Sequence, residues 1–226
     1  MNLLISALYD EASPIDEIFD KRIVATIPDE LPINTTALVI WGGDDISPTI
    51  YGHDPAFKYT DARINLTQRD FLEVQLAQDA IKKGIPIIGI CRGAQLMCAL
   101  SGGTLIQHVT GHGLWKGHKI VTKDGLTVYS NSVHHQMMNP FKVDHEMIAW
   151  CPERLSMKYI GSANKEIDKN EIPVEPEIVW FPQTHALCIQ GHPEFSSATT
   201  SFIKLCQKLI KEYIVEKVSV DPITTH

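Results

Sequence analysis

The chain has 226 residues, 44% of them hydrophobic and 21% charged, and its formal net charge is −7 at pH 7. This composition is that of an ordinary globular protein long enough for a full α/β core. The acidic balance argues against a nucleic-acid surface, and the apolar runs are far shorter than a membrane span. The N-terminal segment lacks a basic stretch and soon turns acidic, so no secretion signal is predicted.

The five cysteines are scattered along the chain and form no C-x-x-C pair; they are Cys91, Cys98, Cys151, Cys188 and Cys206. An odd, unpaired set without a secretion signal predicts a cytoplasmic protein rather than a disulfide framework. Because a single cysteine is most often a small buried hydrophobe, a catalytic role for any of them has to rest on its local sequence.

The first half of the chain alternates between predicted strands and helices, in the order strand 3–8, helix 14–20, strand 23–27, strand 37–41, helix 68–83, strand 85–90 and helix 94–100. Ser13 is the expected N-cap of the first helix, and Gly84 ends the helix over 68–83. The apolar positions at helical spacing in that helix are Phe71, Val74, Ala77 and Ile81. The uninterrupted apolar run at 85–90 is typical of a strand inside a parallel sheet.

The second half begins with shorter strand-like pieces and ends in a helix; its predicted elements are strands 118–121 and 126–129, a polar surface loop 161–177, a hairpin of 178–181 with 186–190, and a helix 198–218. The apolar stripe of the last helix is Phe202, Leu205, Leu209, Tyr213 and Ile214. Alternation of strands and helices predicts an α/β fold with a doubly wound, mostly parallel sheet flanked by helices. We expect one domain over residues 1–218 and a frayed tail over 219–226.

The stretch GICRG, residues 89–93, lies between a predicted strand and a predicted helix. G-x-C-x-G in this place is typical of a nucleophile elbow, a sharp turn whose nucleophile can adopt a strained backbone conformation. The N-terminus of the following helix favours a thiolate at Cys91, and the backbone N–H of Arg92 is placed to bind an oxyanion. The same pattern also fits a tight turn that buries an inert cysteine.

A thiolate that attacks an acyl carbon needs a proton carrier. Of the ten histidines, His192 stands out because it lies between an apolar strand and the last helix. Glu194 shares a face with it on an extended segment and could orient the imidazole. H-P-E alone is more often a structural turn, but beside an elbow cysteine it favours a Cys-His-Glu triad.

Two glycines follow the strand 37–41, and glycine at the carboxyl end of a parallel strand can bring a backbone N–H close to a ligand. Gly43, or less favourably Gly42, could therefore supply a second oxyanion donor. A plain turn is the alternative interpretation of this pair.

Taken together, these segments resemble the class I glutamine amidotransferase-like superfamily, and within it the γ-glutamyl hydrolase branch, which includes the γ-glutamyl-γ-aminobutyrate hydrolases. The likeness is carried by GGDDISPTIYG (42–52), RDFLE (69–73), PIIGICRGAQLMCALSGGTLIQ (86–107), NSVHHQ (131–136) and GHPEF (191–195). Their order and spacing are specific, and they extend over most of the chain. The resemblance implies a flavodoxin-like catalytic domain.

The resemblance also assigns roles to particular residues. Cys91 is implied as the nucleophile, His192 as the base and later acid, and Glu194 as the group that orients it. Gly43 and Arg92 are implied as the oxyanion donors. Residues implied to bind substrate are Gly42, Gln95, His134 and His135.

The activity implied is hydrolysis of a γ-glutamyl amide, in glutamine or a γ-glutamyl amine, through a glutamyl thioester and without a cofactor. The leaving amine and the oligomeric state stay open. One alternative is a glutaminase subunit that delivers ammonia to a separate synthetase, and another is a non-catalytic binding protein on the same fold. No nucleic-acid or membrane partner is expected.

Three further histidines lie within a short stretch of the chain, at His108, His112 and His118. Their spacing is irregular and no acidic ligand is interleaved, so the sequence predicts no metal site.

Overall fold

The computed structural model describes residues 1–25, 31–32, 34–60, 64–113 and 117–216. The expected tail over 219–226 lies outside these residues, as do the ends of the predicted strand 23–27 and of the helix 198–218. Within the described ranges, no helix is both long enough and apolar enough to cross a membrane.

The strands are β1 (Leu3–Ala7), β2 (Lys21–Ala25), β3 (Thr35–Ile40), β4 (Ile87–Ile90), β5 (Thr104–Ile106), β6 (His108–Val109), β7 (His118–Thr122), β8 (Thr127–Ser130), β9 (Met137–Asn139), β10 (Glu146–Cys151), β11 (Tyr159–Ile160), β12 (Glu166–Ile167), β13 (Glu175–Phe181) and β14 (Ala186–Ile189). The α-helices are α1 (Gln68–Lys83), α2 (Arg92–Leu100) and α3 (Thr200–Ile210). Nine described strands form one sheet in the order β2-β1-β3-β4-β14-β13-β10-β7-β8.

One half of this sheet is parallel and the other antiparallel. Strands β2, β1, β3, β4 and β14 pair with one another in parallel. From β14 onward the sheet continues through β13, β10, β7 and β8 with antiparallel pairs. Separate hydrophobic clusters, one built around α1 and α2 and the other around α3, pack against it. The predicted α/β class with a doubly wound sheet flanked by helices is confirmed.

The three segments that carry the predicted chemistry follow three adjacent parallel strands. The turn at Gly42 follows β3, Cys91 follows β4, and His192 follows β14. Because the carboxyl ends of parallel strands lie at one edge of a sheet, this topology brings the three segments together.

Helix α1 has the predicted bounds because both ends carry local signals. Thr67 and Asp70 form a reciprocal capping box, and Gly84 adopts the left-handed conformation that ends the helix. The predicted apolar face is confirmed at Val74, Ala77 and Ile81, which pack against the core, and is wrong at Phe71, which is 53% exposed. The buried residues of this helix also include Asp70 and Glu73. These carboxylates are buried because they pair with an arginine from another helix, described below.

The prediction of a surface loop over 161–177 is wrong at its end. Strand β13 begins at Glu175, and all seven of its residues are buried. The hairpin that follows is confirmed, with β13 antiparallel to β14 across the short helical turn Pro182–Thr184. In the last helix all five predicted apolar residues are buried, although Lys211–Glu216 continues α3 as a π-helical turn.

Candidate active site

Cys91 lies at the corner between β4 and α2 in a conformation that few non-glycine residues adopt. Its φ is +48° and its ψ −104°, and it is the N-cap residue of α2. The expected strained elbow is thereby confirmed. Gly93 permits the tight turn, because a Cβ at this position would overlap the carbonyl oxygen of Ile40. The helix begins against the sheet, and its first N–H groups lack intrahelical partners.

His192 is fixed on both sides by hydrogen bonds. Its Nδ1 lies 2.6 Å from Glu194 Oε1, and its ring stacks on Phe195 with 4.1 Å between centroids. Burial disfavours the imidazolium, but hydrogen bonds with Cys91 and Glu194 outweigh burial and raise the pKa of His192 to about 10. The side chain is therefore poised as a proton donor at neutral pH.

The backbone of His192 is held by an amide side chain on the loop after β8. Asn131 Oδ1 accepts a hydrogen bond from the His192 N–H, and Asn131 Nδ2 donates one to the His192 carbonyl, each at 2.8 Å. Gln190 Nε2 lies 3.6 Å from Cys91 Sγ. These contacts fix both ends of the Cys91–His192 pair.

The glycine turn after β3 packs against both catalytic candidates. A Cβ on Gly42 would overlap His192 Cε1 and would lie 3.4 Å from Cys91 Cβ. Gly43 has φ +145°, and a side chain there would also collide with Arg69. The Arg69 guanidinium donates hydrogen bonds to the carbonyl oxygens of Trp41, at 3.0 Å, and Gly42, at 2.8 Å. The turn is thus held in place by Arg69.

A buried charge network joins this turn to the elbow. Arg92, with a side chain only 2% exposed, places Nη2 2.5 Å from Asp70 Oδ1 and also pairs with Glu73. Glu73 accepts a second bond from Arg69 Nε at 2.9 Å. Two guanidinium groups therefore face two carboxylates, and their charges balance inside the protein.

We expect Glu73→Gln to lower the free energy of unfolding by about 3–5 kcal/mol, because it leaves a buried positive charge uncompensated. The measurement is chemical denaturation, with the midpoint shifted and the slope unchanged. Glu212→Gln is the matched control, since it removes an exposed pair with Lys208 and should cost less than about 1 kcal/mol. A similar small loss in both variants would contradict a structural role for the network.

A cavity of about 980 Å³ opens beside the elbow, and its lining includes Gly43 and Arg92. On other sides it is bounded by Asp44, Asp45 and His135. The two predicted oxyanion donors thus border one cavity, which is large for a small-molecule site.

The predicted substrate-binding residues occupy different places. His135 lines this cavity and its Nε2 lies 3.1 Å from Asp45. Gln95 is buried and donates to the carbonyl of Gln136 at 3.1 Å. His134 is buried with its ring against His112 and is not part of the described lining. Contact of Gln95, His134 or His135 with substrate stays a prediction.

Sequence reasoning missed the residues that hold the site together. Asp70 and Glu73 stand in the RDFLE segment, and Asn131 opens NSVHHQ, but no role followed from those motifs. A signal was present for Arg92, because an arginine inside a buried turn needs anionic partners. Which carboxylates pair with Arg92 could not be predicted without knowledge of the fold.

A model of the Peptidase C26 family matches residues 29–157 of the chain. "Putative glutamine amidotransferase" of Mycobacterium tuberculosis is 41% identical over 168 residues, which cover 71% of this chain and 51% of that protein. Protein NtpR of Enterococcus hirae is 28% identical over 162 residues, covering 62% of this chain and 66% of that protein. The match therefore spans between half and two thirds of these relatives.

Solved structures of similar fold include a glutamine amidotransferase from Thermotoga maritima. Its TM-score against this chain is 0.54 at 15% sequence identity, and the alignment covers 98% of this chain and 86% of that one. PurLQS from Thermotoga maritima gives a TM-score of 0.57 at 15% identity, covering 96% of this chain and 99% of that one. These likenesses confirm the superfamily fold predicted from the motifs.

Proposed function

The chain belongs to the peptidase C26 family, and from this premise we propose that it hydrolyses a γ-glutamyl amide bond through a thioester on Cys91. The substrate is glutamine or a γ-glutamyl amine, and we assign the reaction to one catalytic domain over residues 1–218. The observation that carries the proposal is the His192–Glu194 hydrogen bond of 2.6 Å beside a cysteine held at a strained elbow.

The first half of the proposed reaction forms the thioester. Cys91 sulfur attacks the γ-carbonyl carbon, and the backbone N–H groups of Gly43 and Arg92 stabilise the charge that develops on oxygen. When the tetrahedral intermediate collapses, the carbon–nitrogen bond breaks and His192 donates its proton to the departing amine.

The second half releases glutamate. Water attacks the thioester carbon while His192 accepts its proton, and the carbon–sulfur bond then breaks to restore the Cys91 thiolate. Glu194 keeps the proton on Nδ1 so that Nε2 faces the reaction. No cofactor enters either half.

The size of the cavity favours a substrate larger than glutamine. Its volume of about 980 Å³ lies at the upper end of the range for small-molecule sites. Its lining includes the exposed Asp44 and, among the cations, Lys58 and two arginines that are paired with carboxylates of α1. Asp45 also borders it but pairs with His135, so Asp44 is the carboxylate suited to an amine that carries a second positive group. The leaving amine is therefore proposed to be cationic and larger than ammonia.

A second candidate function is a glutaminase subunit that passes ammonia to a separate synthetase. It is favoured by the similarity to the solved structure of a GMP synthase component from Thermoplasma acidophilum, with a TM-score of 0.57 at 13% identity, covering 97% of this chain and 98% of that one. A protein of this kind would act on glutamine and would be slow without its partner.

The test is glutamate release by purified protein from glutamine and from a panel of γ-glutamyl amides with neutral, anionic and cationic amines. We expect fast release from a cationic amide. Asp44→Asn should lower the rate of release from that substrate and not from the others. Asp124→Asn, on a turn distant in sequence from Asp44, should leave the rate unchanged. Slow release from glutamine only would favour the second candidate, and no release from any member would contradict hydrolysis.

A further inference from the structure

Five buried side chains meet outside the Cys91–His192–Glu194 site, and the mechanism uses none of them. Two are Glu175 and Glu177, which share one face of β13 because alternate strand residues point the same way. The other three are histidines: His118 in β7, His112 before β7, and His134 between β8 and β9. Their exposed fractions are His112 0%, His118 7%, His134 4%, Glu175 1% and Glu177 1%.

The tautomer of His112 is set by Glu175. His112 Nε2 lies 3.0 Å from Glu175 Oε2, and an ionised carboxylate only accepts, so Nε2 carries the proton. The Leu155 and Ser156 N–H groups also donate to the Glu175 carboxylate. With Nε2 donating to Glu175, Nδ1 is the ring nitrogen left to hold a ligand, and it lies 3.6 Å from Glu177 Oε1.

The tautomer of His134 is set by the main chain. Its Nδ1 lies 2.8 Å from the carbonyl oxygen of Gln136 and must donate to it. The ring is 4% exposed and lies against that of His112, with 4.8 Å between centroids. The lone pair of Nε2 then points to Glu177 Oε1, 4.0 Å away.

Three acceptors consequently face one another. His112, His134 and Glu177 each offer one atom, and these atoms lie within 4.8 Å of each other. Across the described part of the chain, no group forms a hydrogen bond with His112 Nδ1, His134 Nε2 or Glu177 Oε2. His118 Nε2 reaches only the other carboxylate oxygen, Glu177 Oε1, and buried acceptors left without a donor are unstable unless a positive charge lies between them.

We propose that His112, His134 and Glu177 bind Zn²⁺ or a similar late first-row divalent cation. Two imidazole nitrogens and a carboxylate form a donor set that such cations accept. Donors around a tetrahedral Zn²⁺ are about 3.3 Å apart. Here the two histidine nitrogens lie 3.6 and 4.0 Å from Glu177 Oε1 and all three donors lie within 4.8 Å of one another, so binding requires the side chains to move inward by up to about 1.5 Å.

The groups around the donors also fit a metal centre. Ligating histidines commonly donate their second N–H to a carboxylate or a carbonyl, and Glu175 and Gln136 accept in this way here. His118 Nε2 lies 2.8 Å from Glu177 Oε1 and can orient the carboxylate. The acidic ligand that the histidine stretch lacks is Glu177, and it comes from a strand distant in sequence.

The proposed cation would position the active site rather than take part in the reaction. It would tie β13 to the loop that holds His134, and the same loop carries Asn131, which binds the backbone of His192. Glu177 and its partners are therefore positioning residues.

The test is direct metal binding to the full chain, free of affinity tag and stripped with chelator. Cys91→Ser is the background, because it removes the active-site thiolate as a competing ligand. We expect one equivalent of Zn²⁺ by calorimetry, and visible d–d bands with Co²⁺. Glu177→Gln and His134→Asn should weaken binding by about 100-fold or more, given that outer contacts alone are worth about 10–100-fold.

The control is His145→Ala, which changes a histidine that bonds the carbonyl of Val143 outside the cluster and should leave binding unchanged. Glu175→Gln keeps all three ligands and should weaken Zn²⁺ binding by about 10–100-fold. It replaces Glu177→Gln as the test variant if Glu177→Gln does not fold. No saturable equivalent in the folded background, or binding indifferent to these changes, would overturn the proposal. Neither result depends on enzymatic activity, so the metal-binding test is independent of the proposed hydrolysis.

Discussion

Cys91→Ala is expected to lower kcat for glutamate release by about 10⁴-fold or more, because it removes the only proposed nucleophile. Alanine keeps the Cβ and can adopt the same backbone conformation, so the elbow and the cavity should persist. The measurement is release from the best substrate of the amide panel. Turnover within tenfold of the wild type would exclude a Cys91 thioester.

Cys98→Ala is the matched control, since it removes a cysteine from the same helix. Burial raises the pKa of the Cys98 thiol to about 12, so this residue is a poor nucleophile at neutral pH and its loss should leave kcat nearly unchanged. Mass spectrometry of rapidly quenched wild-type protein should show a glutamyl group on Cys91. A glutamine-like alkylator should label the same residue and spare Cys98.

The position of the three segments that carry the proposed chemistry could be predicted because each has its signal locally. Gly42, Cys91 and His192 all stand where an apolar strand ends, and a turn residue after a buried strand predicts both the strand boundary and a group placed at that edge of the sheet. The end of helix α1 was likewise predicted from Gly84, which acts on its own neighbours. Such features need no knowledge of the rest of the fold.

The buried charges could not be predicted for the opposite reason. Asp70 is buried because of Arg92, 22 residues away, and Glu177 because of His118, 59 residues away. A carboxylate in a polar stretch is normally exposed, so the sequence around Glu175 indicated a loop where β13 in fact begins. Whether a charged side chain is buried depends on an oppositely charged partner, and which residue lies close enough to be that partner depends on the fold.

Glu194→Gln is expected to lower kcat/KM by about 10²–10⁴-fold. The glutamine amide can donate to His192 Nδ1, which moves the ring proton to Nε2 and leaves no lone pair facing Cys91. The lost carboxylate also withdraws one of the groups that raise the pKa of His192. Both changes act on the proton carrier and leave the nucleophile in place.

The pH profile distinguishes this role from a structural one. With the pKa of His192 at about 10, the proposed donor is protonated at neutral pH and activity should fall only as the pH approaches that value. Without Glu194 the imidazolium is less stabilised, the pKa falls, and the alkaline limb of kcat/KM should move to lower pH. Glu153→Gln changes an exposed residue and should keep the wild-type profile. A group that fixes both the tautomer and the charge of the imidazole cannot be removed without moving the alkaline limb. If that limb stays in place in Glu194→Gln and kcat/KM changes less than about threefold, Glu194 does not orient His192.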